Sequence, residues 1–274
     1  MPMIEIGDAR LHYTDEGSGP ETIVFSHGLL MSGDMFSAQV DALKDRYRCI
    51  TYDHRGQGGS AVTDDGYDME TLTEDAAGLI EALETGPCHF VGLSMGGFVG
   101  MRLATRRPEL LRSLVLLETS ADPEPSENQK QYRMLNFVAR WFGLSTVIGR
   151  VMPIMFGQTF LNDPERADDR QKWRSHIVSN DRIGITRAVK GVINRRGVID
   201  DIRQIDLPVL IAVGDEDVAT VPEKSERMHE AIPGSKLALI PGAGHSSTIE
   251  QPEAVNRVIS THLAGLQKPK AATG

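Results

Sequence analysis

A short apolar run, Cys88-His89-Phe90-Val91, leads into Gly92-Leu93-Ser94-Met95-Gly96-Gly97, and an apolar-periodic stretch begins at Phe98. A Gly-x-Ser-x-Gly set between a strand and a helix makes a turn so sharp that side chains two positions either side of the serine would strike backbone. Glycine at 92 and 96 removes both clashes. The chain is thereby committed to strand, turn and helix, with Ser94 lifted to the helix head, where main-chain N–H groups can receive an anion. The same five residues can also be a plain glycine-rich turn with an exposed serine. Partners elsewhere in the chain decide between the two readings.

The order of elements around this turn is that of an α/β protein. Residues 9–13 alternate small, polar and aromatic side chains and read as an edge strand, and Glu16-Gly17-Ser18-Gly19-Pro20 reads as a loop. Strands are expected at 22–26, 47–52, 89–93 and 113–117, with helices at 35–43, 69–83 and 97–106 between them. Alternating strands and helices imply a mostly parallel sheet with helices on both faces. The alternation resumes with a strand at 208–213, a helix at 221–231, a strand at 236–240 and a closing helix at 252–263, which Pro252 starts. The last eleven residues, from Ala264, are small, polar or basic and are expected to fray.

Residues 120–200 interrupt the pattern. They open with Asp122-Pro123-Glu124-Pro125-Ser126 and carry helical periodicity at 131–142, 146–155 and 183–194. Met134, Phe137, Trp141, Phe142, Met152, Met155, Phe156, Phe160 and Trp173 gather here, both tryptophans among them. The division expected is a core of 1–119 and 201–274 with a helical cap of 120–200 inserted over the sheet. Methionine and aromatic side chains at helical spacing are more often core than ligand contacts. A cap can serve as both, so Leu30, Phe137, Trp141, Met155 and Phe156 are the candidate substrate contacts. Arg133, Arg140 or Arg174 could add polar selectivity, although helix arginines are usually just solvated.

Bulk properties narrow the partners. The 274 residues carry a formal charge of −9, which argues against nucleic acid, whose phosphates call for Lys/Arg clusters. No apolar stretch approaches the roughly eighteen residues that span a bilayer, and the opening MPMIEIGDARLHYTDEG lacks the charged and apolar regions of a signal peptide. A cytoplasmic protein is therefore expected. Cys49 and Cys88 lie in strand-like runs and are expected as buried thiols rather than a disulfide. No His/Cys/Asp/Glu spacing suggests a metal, and no glycine turn has a phosphate- or dinucleotide-binding pattern, so no cofactor is implied.

A serine needs a base, and the base needs an orienting acid. His245, in Gly242-Ala243-Gly244-His245 between the last strand and last helix, falls on the carboxyl edge of a parallel sheet, the edge that carries Ser94. His27 and His54 share that edge but sit in glycine turns with other work; His89 lies inside a strand; His12, His176, His229 and His262 fall on an edge strand or helices. Gly214-Asp215-Glu216-Asp217 follows strand 208–213, and Asp217 is the candidate acid, with Glu118 the outside alternative. An oxyanion needs two N–H donors. Met95 follows the serine and supplies one; the loop His27-Gly28-Leu29-Leu30 supplies the other, Leu29 being favoured.

Together these pieces resemble the α/β-hydrolase superfamily along nearly all of the chain: His27-Gly28, the run Tyr52-Asp53-His54-Arg55-Gly56-Gln57-Gly58-Gly59-Ser60, the Ser94 turn, Gly214-x-x-Asp217 followed by Pro222, and Gly244-His245. The order Ser94, Asp217, His245 is the one expected there. Within the superfamily the chain is similar to the bacterial esterase, cofactor-free perhydrolase and enol-lactone hydrolase branch; residues 120–200 match no piece of it. The resemblance implies a carboxylic ester hydrolase or lactonase acting on a small to medium, partly apolar substrate through an acyl-enzyme on Ser94. Serine at this turn separates the chain from epoxide hydrolases and haloalkane dehalogenases, which carry aspartate there. Two alternatives stay open: carbon–carbon bond hydrolysis of an aromatic ring-cleavage product, and a ligand receptor that keeps the fold.

Overall fold

Strands rich in branched and aromatic residues, separated by amphipathic helices, assemble into one eight-stranded sheet in the computed structural model, which describes residues 2–266. The strands are β1 Met3–Ile6, β2 Ala9–Glu16, β3 Thr22–Ser26, β4 Arg48–Tyr52, β5 Cys88–Leu93, β6 Leu111–Leu117, β7 Val209–Gly214 and β8 Lys236–Ile240. Their order across the sheet is β1-β2-β4-β3-β5-β6-β7-β8. From β4 to β8 all pairings are parallel, whereas β2 joins β1 and β4 antiparallel. A parallel sheet covered on both faces must be apolar on both, and β3, β5 and β7 are buried at every position.

Helices α1 Ser37–Leu43, α2 Met69–Ala82, α3 Met95–Arg106, α9 Pro222–Ala231 and α11 Pro252–Leu266 alternate with the strands. Between β6 and β7 lie only helices: α4 Ser126–Phe142, α5 Ile148–Met155, α6 Gln158–Asn162, α7 Ala167–Ser179 and α8 Arg182–Ile193, with single 3₁₀ turns. The short α10 Ser247–Glu250 precedes α11. Two hydrophobic clusters flank the sheet. One packs α1, α11 and most of the inserted helices, and the other packs α2, α3 and α9.

Two expectations need correction. The strand at residues 9–13 is not an edge: β1 pairs outside it, Met3 opposite His12 and Ile6 opposite Ala9. Four residues are too few for alternation to stand out in the sequence, so the outer strand was unread. Helices α6 and α7 were likewise unread. The closing helix runs on to Leu266, past the point where fraying was expected, and the rest of that expectation lies outside the described residues. Cys49 and Cys88 are buried free thiols, and burial pushes both up to about 12.

Register carries the fold to the site. Ser26 pairs with Gly92, Leu93 with Leu117, Leu117 with Ala212, and Gly214 with Ile240. The carboxyl ends of β3, β5, β6, β7 and β8 are therefore level, and the loops they release leave the sheet along one edge.

Candidate active site

Ser94 stands at the head of α3 with φ 52° and ψ −110°, a backbone setting that costs a non-glycine residue about 1–3 kcal/mol and persists only where neighbours over-determine it. Here they do. Ser94 N–H donates to Leu117 O (2.9 Å), and Ser94 O accepts from Thr119 Oγ1 (2.8 Å) and from Phe98 N–H (3.0 Å). Gly96 is compulsory, because a Cβ there would lie 1.9 Å from Ser26 O.

His245 Nε2 lies 2.8 Å from Ser94 Oγ, and His245 Nδ1 lies 2.8 Å from Asp217 Oδ2. An ionised carboxylate only accepts, so Nδ1 carries the proton and Nε2 is left to accept from the Ser94 hydroxyl. Asp217 takes further donors: Ala219 N–H (2.8 Å) and Thr220 N–H (3.0 Å) on Oδ1, and Thr220 Oγ1 (2.6 Å) on Oδ2. Burial alone would raise its pKa; the His245 charge and hydrogen bond, with the Thr220 donors, outweigh burial and hold it at about 2. All three side chains are buried. A serine hydroxyl, an imidazole and an ionised carboxylate in one hydrogen-bonded file can generate an alkoxide-like nucleophile and later return its proton to a leaving group.

Glu118, the alternative acid, makes no bond to His245. Its side chain is fully buried, and burial, reinforced by the charge of Asp217, outweighs the weak contacts from Ser247 and Gly214 and raises its pKa well above the usual range. His27, His54 and His89 are bonded within the fold rather than to Ser94. His27 Nδ1–H donates to Gly28 O (2.7 Å) while Nε2 accepts from His54 N–H (2.9 Å), and burial lowers its pKa. His54 Nε2 meets Ser26 Oγ (3.0 Å), and His89 Nδ1 meets Ser113 Oγ (2.8 Å).

The loop after β3 passes against the Ser94 turn: a Cβ at Gly28 would touch Leu93 Cδ2 at 3.1 Å and Ser94 Cβ at 3.5 Å. Leu29, the next residue, lines the same cavity as Ser94, and Met95 begins α3. Leu30 is held at φ 71°, a left-handed setting that costs roughly 1–2 kcal/mol for an L-residue. Two side chains fix it: Leu30 N–H donates to Gln57 Oε1 (2.9 Å), and Leu30 O accepts from Asn180 Nδ2 (3.0 Å). Gln57 Nε2 also reaches Met95 Sδ at 4.0 Å, so one glutamine touches both segments. Neither Gln57 nor Asn180 was legible as a site residue. Gln57 lay within a glycine-rich run that had signalled only a turn, and Asn180 comes from the insertion.

Above the serine lies a cavity of about 140 Å³, walled by Leu29, Leu30, Ser94 and His245 below and by α4, α5 and α8 above. Of the expected substrate contacts, Leu30 and Met155 line it. Phe137 and Trp141 do not: they are 58% and 65% exposed. Tyr132, Leu135, Asn136 and Ala139 give α4 its cavity face, and at about 100° per residue the positions 137 and 141 turn outward. Phe156 is also outside the lining, buried and stacked on Phe160 with centroids 4.9 Å apart. Arg133, Arg140 and Arg174 are absent from the wall; the arginine that does line it is Arg195, paired with Glu124 at 2.8 Å and stacked over Phe98.

Comparison with known proteins bears on family and fold. The family model described as the alpha/beta hydrolase family matches residues 23–258. The chain belongs to that family. A thermophilic esterase from Thermogutta terrifontis is 32% identical, with a TM-score of 0.90 over 98% of this chain and 100% of its own. The enol-lactonase from Burkholderia xenovorans LB400 is 28% identical, with a TM-score of 0.89 over 96% and 100%. A bromoperoxidase from Bacillus anthracis is 25% identical, with a TM-score of 0.86 over 96% and 99%. Among the described residues, no helix is long and apolar enough to cross a membrane, and no group of three His, Cys, Asp or Glu side chains is arranged to hold a metal ion.

Proposed function

We propose that this α/β hydrolase cleaves a small to medium, partly apolar carboxylic ester or lactone through an acyl-enzyme on Ser94. The observation that carries the reading is the file Ser94 Oγ–His245 Nε2 and His245 Nδ1–Asp217 Oδ2, both links 2.8 Å, opening on a largely apolar cavity. Ser94 attacks the carbonyl carbon as His245 takes its proton, and Asp217 stabilises the imidazolium that forms. Leu29 and Met95 N–H groups receive the oxyanion, a term worth roughly 3 kcal/mol for one donor. Collapse breaks the acyl–oxygen bond, and His245 protonates the departing alkoxide. Water, deprotonated by His245, then releases the acid and restores Ser94.

Residues 120–200 act as the cap in this reading, closing the acyl pocket with α4, α5 and α8. The Arg195–Glu124 pair adds polarity to the wall without net charge, which favours an uncharged substrate over a dicarboxylic one. The esterase and enol-lactonase relatives support ester and lactone cleavage, and a carbamate hydrolase of Caulobacter at 27% identity and the bromoperoxidase relative are the reason carbamate and peroxide chemistry belong in the test. The test is steady-state kinetics on an aryl ester, an aliphatic lactone, a carbamate and a dienoic diketone. Ester or lactone should show the highest kcat/KM, and Ser94→Ala should remove it. Turnover of the carbamate or diketone alone would replace the substrate class, and peracid formation with hydrogen peroxide exceeding hydrolysis would place the chemistry with perhydrolysis.

A further inference from the structure

Glu250 closes α10, five residues beyond His245, and its side chain is buried with no Lys or Arg ion pair among the described residues. Its carboxylate is instead filled by main-chain donors. Oε2 accepts from Gly244 N–H (2.9 Å) and Gly157 N–H (2.8 Å), and Oε1 accepts from Ser246 N–H (3.0 Å). Gly244 and Ser246 flank His245, while Gly157 is the corner between α5 and α6 in the insertion. One carboxylate thus holds both peptides around the base and joins them to the cap. Burial raises the Glu250 pKa, while the three main-chain donors and the neighbouring His245 oppose that rise; with the group ionised, each of these bonds is roughly twice as strong as a neutral one.

The corner is tied down by other bonds as well. The Gly157 and Gly244 backbones approach so closely that a Cβ on Gly244 would lie 2.1 Å from Gly157 N, and a Cβ on Gly157 would lie 2.8 Å from Gly244 N. Glu216, the neighbour of Asp217, accepts from Thr159 N–H (2.8 Å) and Thr159 Oγ1 (2.5 Å) at the start of α6. Arg166, just before α7, donates to Ile249 O (2.9 Å) and Glu250 O (3.2 Å). Both loops that carry the file, one with Asp217 and one with His245, are therefore stitched to the same corner of the insertion.

We propose that Glu250 is the positioning residue of the base, and that the α5–α6 corner is a fixed strut for His245 rather than the hinge of a lid. The proposal rests on the acyl-transfer reading for its kinetic consequence. Gly157 is not in the cavity wall, yet a change there reaches the chemical step.

The test compares wild type, Glu250→Gln, Glu250→Asp and Gly157→Ala. A small acetyl aryl ester, which needs little of the cap, serves as substrate. A 1 Å error in a catalytic group can cost on the order of a hundredfold. Glu250→Gln keeps one acceptor oxygen and must turn an N–H₂ toward at least one of the three donors, Ser246 N–H beside His245 when the oxygen stays on Gly244 and Gly157, so kcat should fall by up to about that factor with KM within about twofold. Glu250→Asp keeps both acceptor oxygens and should recover part of the loss. Gly157→Ala should lower kcat in the same way from the cap side. A spectroscopic readout runs in parallel: the downfield proton resonance of His245 Nδ1–H should broaden or move in Glu250→Gln and Gly157→Ala while melting temperatures stay above the assay temperature. Unchanged kcat with the resonance in place, or a loss confined to KM, would overturn the proposal and leave Glu250 as packing. Wild type that neither hydrolyses esters nor reacts with a fluorophosphonate refutes the acyl-transfer reading instead, and the resonance alone then decides the positioning claim.

Discussion

Asp217 and Glu118 are two buried carboxyl groups beside one another that physical chemistry drives in opposite directions. Asp217 accepts four hydrogen bonds, from Ala219 N–H, Thr220 N–H, Thr220 Oγ1 and His245 Nδ1–H, and is held at about 2; Glu118, fully buried with only weak contacts from Ser247 and Gly214, is raised well above 4.5. A depressed carboxyl stabilises the fold above its unfolded pKa, and that stability is lost as pH falls through the folded value. For Asp217 the window runs from about pH 4 down to about pH 2. Asp217→Asn should flatten acid unfolding there. It should also lower kcat roughly ten-thousandfold, since an amide lets the imidazole adopt the wrong tautomer. Glu118 carries the reverse sign: as pH rises above its unfolded value the folded state must keep a proton that the unfolded chain releases, so stability falls. Glu118→Gln cannot ionise, so it should match wild type near pH 4 and melt at higher temperature at pH 7. A variant that melts below wild type at both pH values would contradict a neutral Glu118. Sequence position alone could not separate these two acids. Both follow a strand on the right edge, and it is His245, with the donors of Thr220, that keeps Asp217 ionised.

At the scale of elements, legibility followed length and period. Strands buried on both faces announced themselves as apolar runs, and α2 and α3 as amphipathic ones. β1 is four residues long. α6 has five residues, and α7 carries acidic and basic side chains around most of its circumference, so neither left a periodic apolar stripe. The face of α4 was misjudged for a related reason. Both of its sides bear apolar residues: Leu135 and Ala139 toward the cavity, Met134, Phe137 and Trp141 toward solvent. Composition marks such a helix as apolar without saying which side is covered. Replacing Phe137 and Trp141 by serine should therefore leave kcat and KM on an aryl ester within about twofold of wild type. A tenfold rise in KM would mean that these side chains fold inward over substrate.

For the whole molecule, the sheet registers align five strand ends, and the turns they release converge because the strands are level. That convergence was predictable from chain order once Ser94, Asp217 and His245 had been placed on one edge. What closes over it was not, because the bonds from Asn180 to Leu30 and from Gly157 to Glu250 join residues far apart in the chain. The insertion is thus bonded to the Leu30 loop after β3 on one side and to the base loop on the other. The central claim, that Ser94 is a nucleophile activated by His245, is tested most directly by treating the folded protein with a fluorophosphonate and locating the adduct by peptide mass spectrometry. The account predicts one stoichiometric adduct on Ser94, absent in Ser94→Ala and slowed by at least a hundredfold in His245→Ala. Folded protein that stays unlabelled, or labels equally fast without His245, would contradict it.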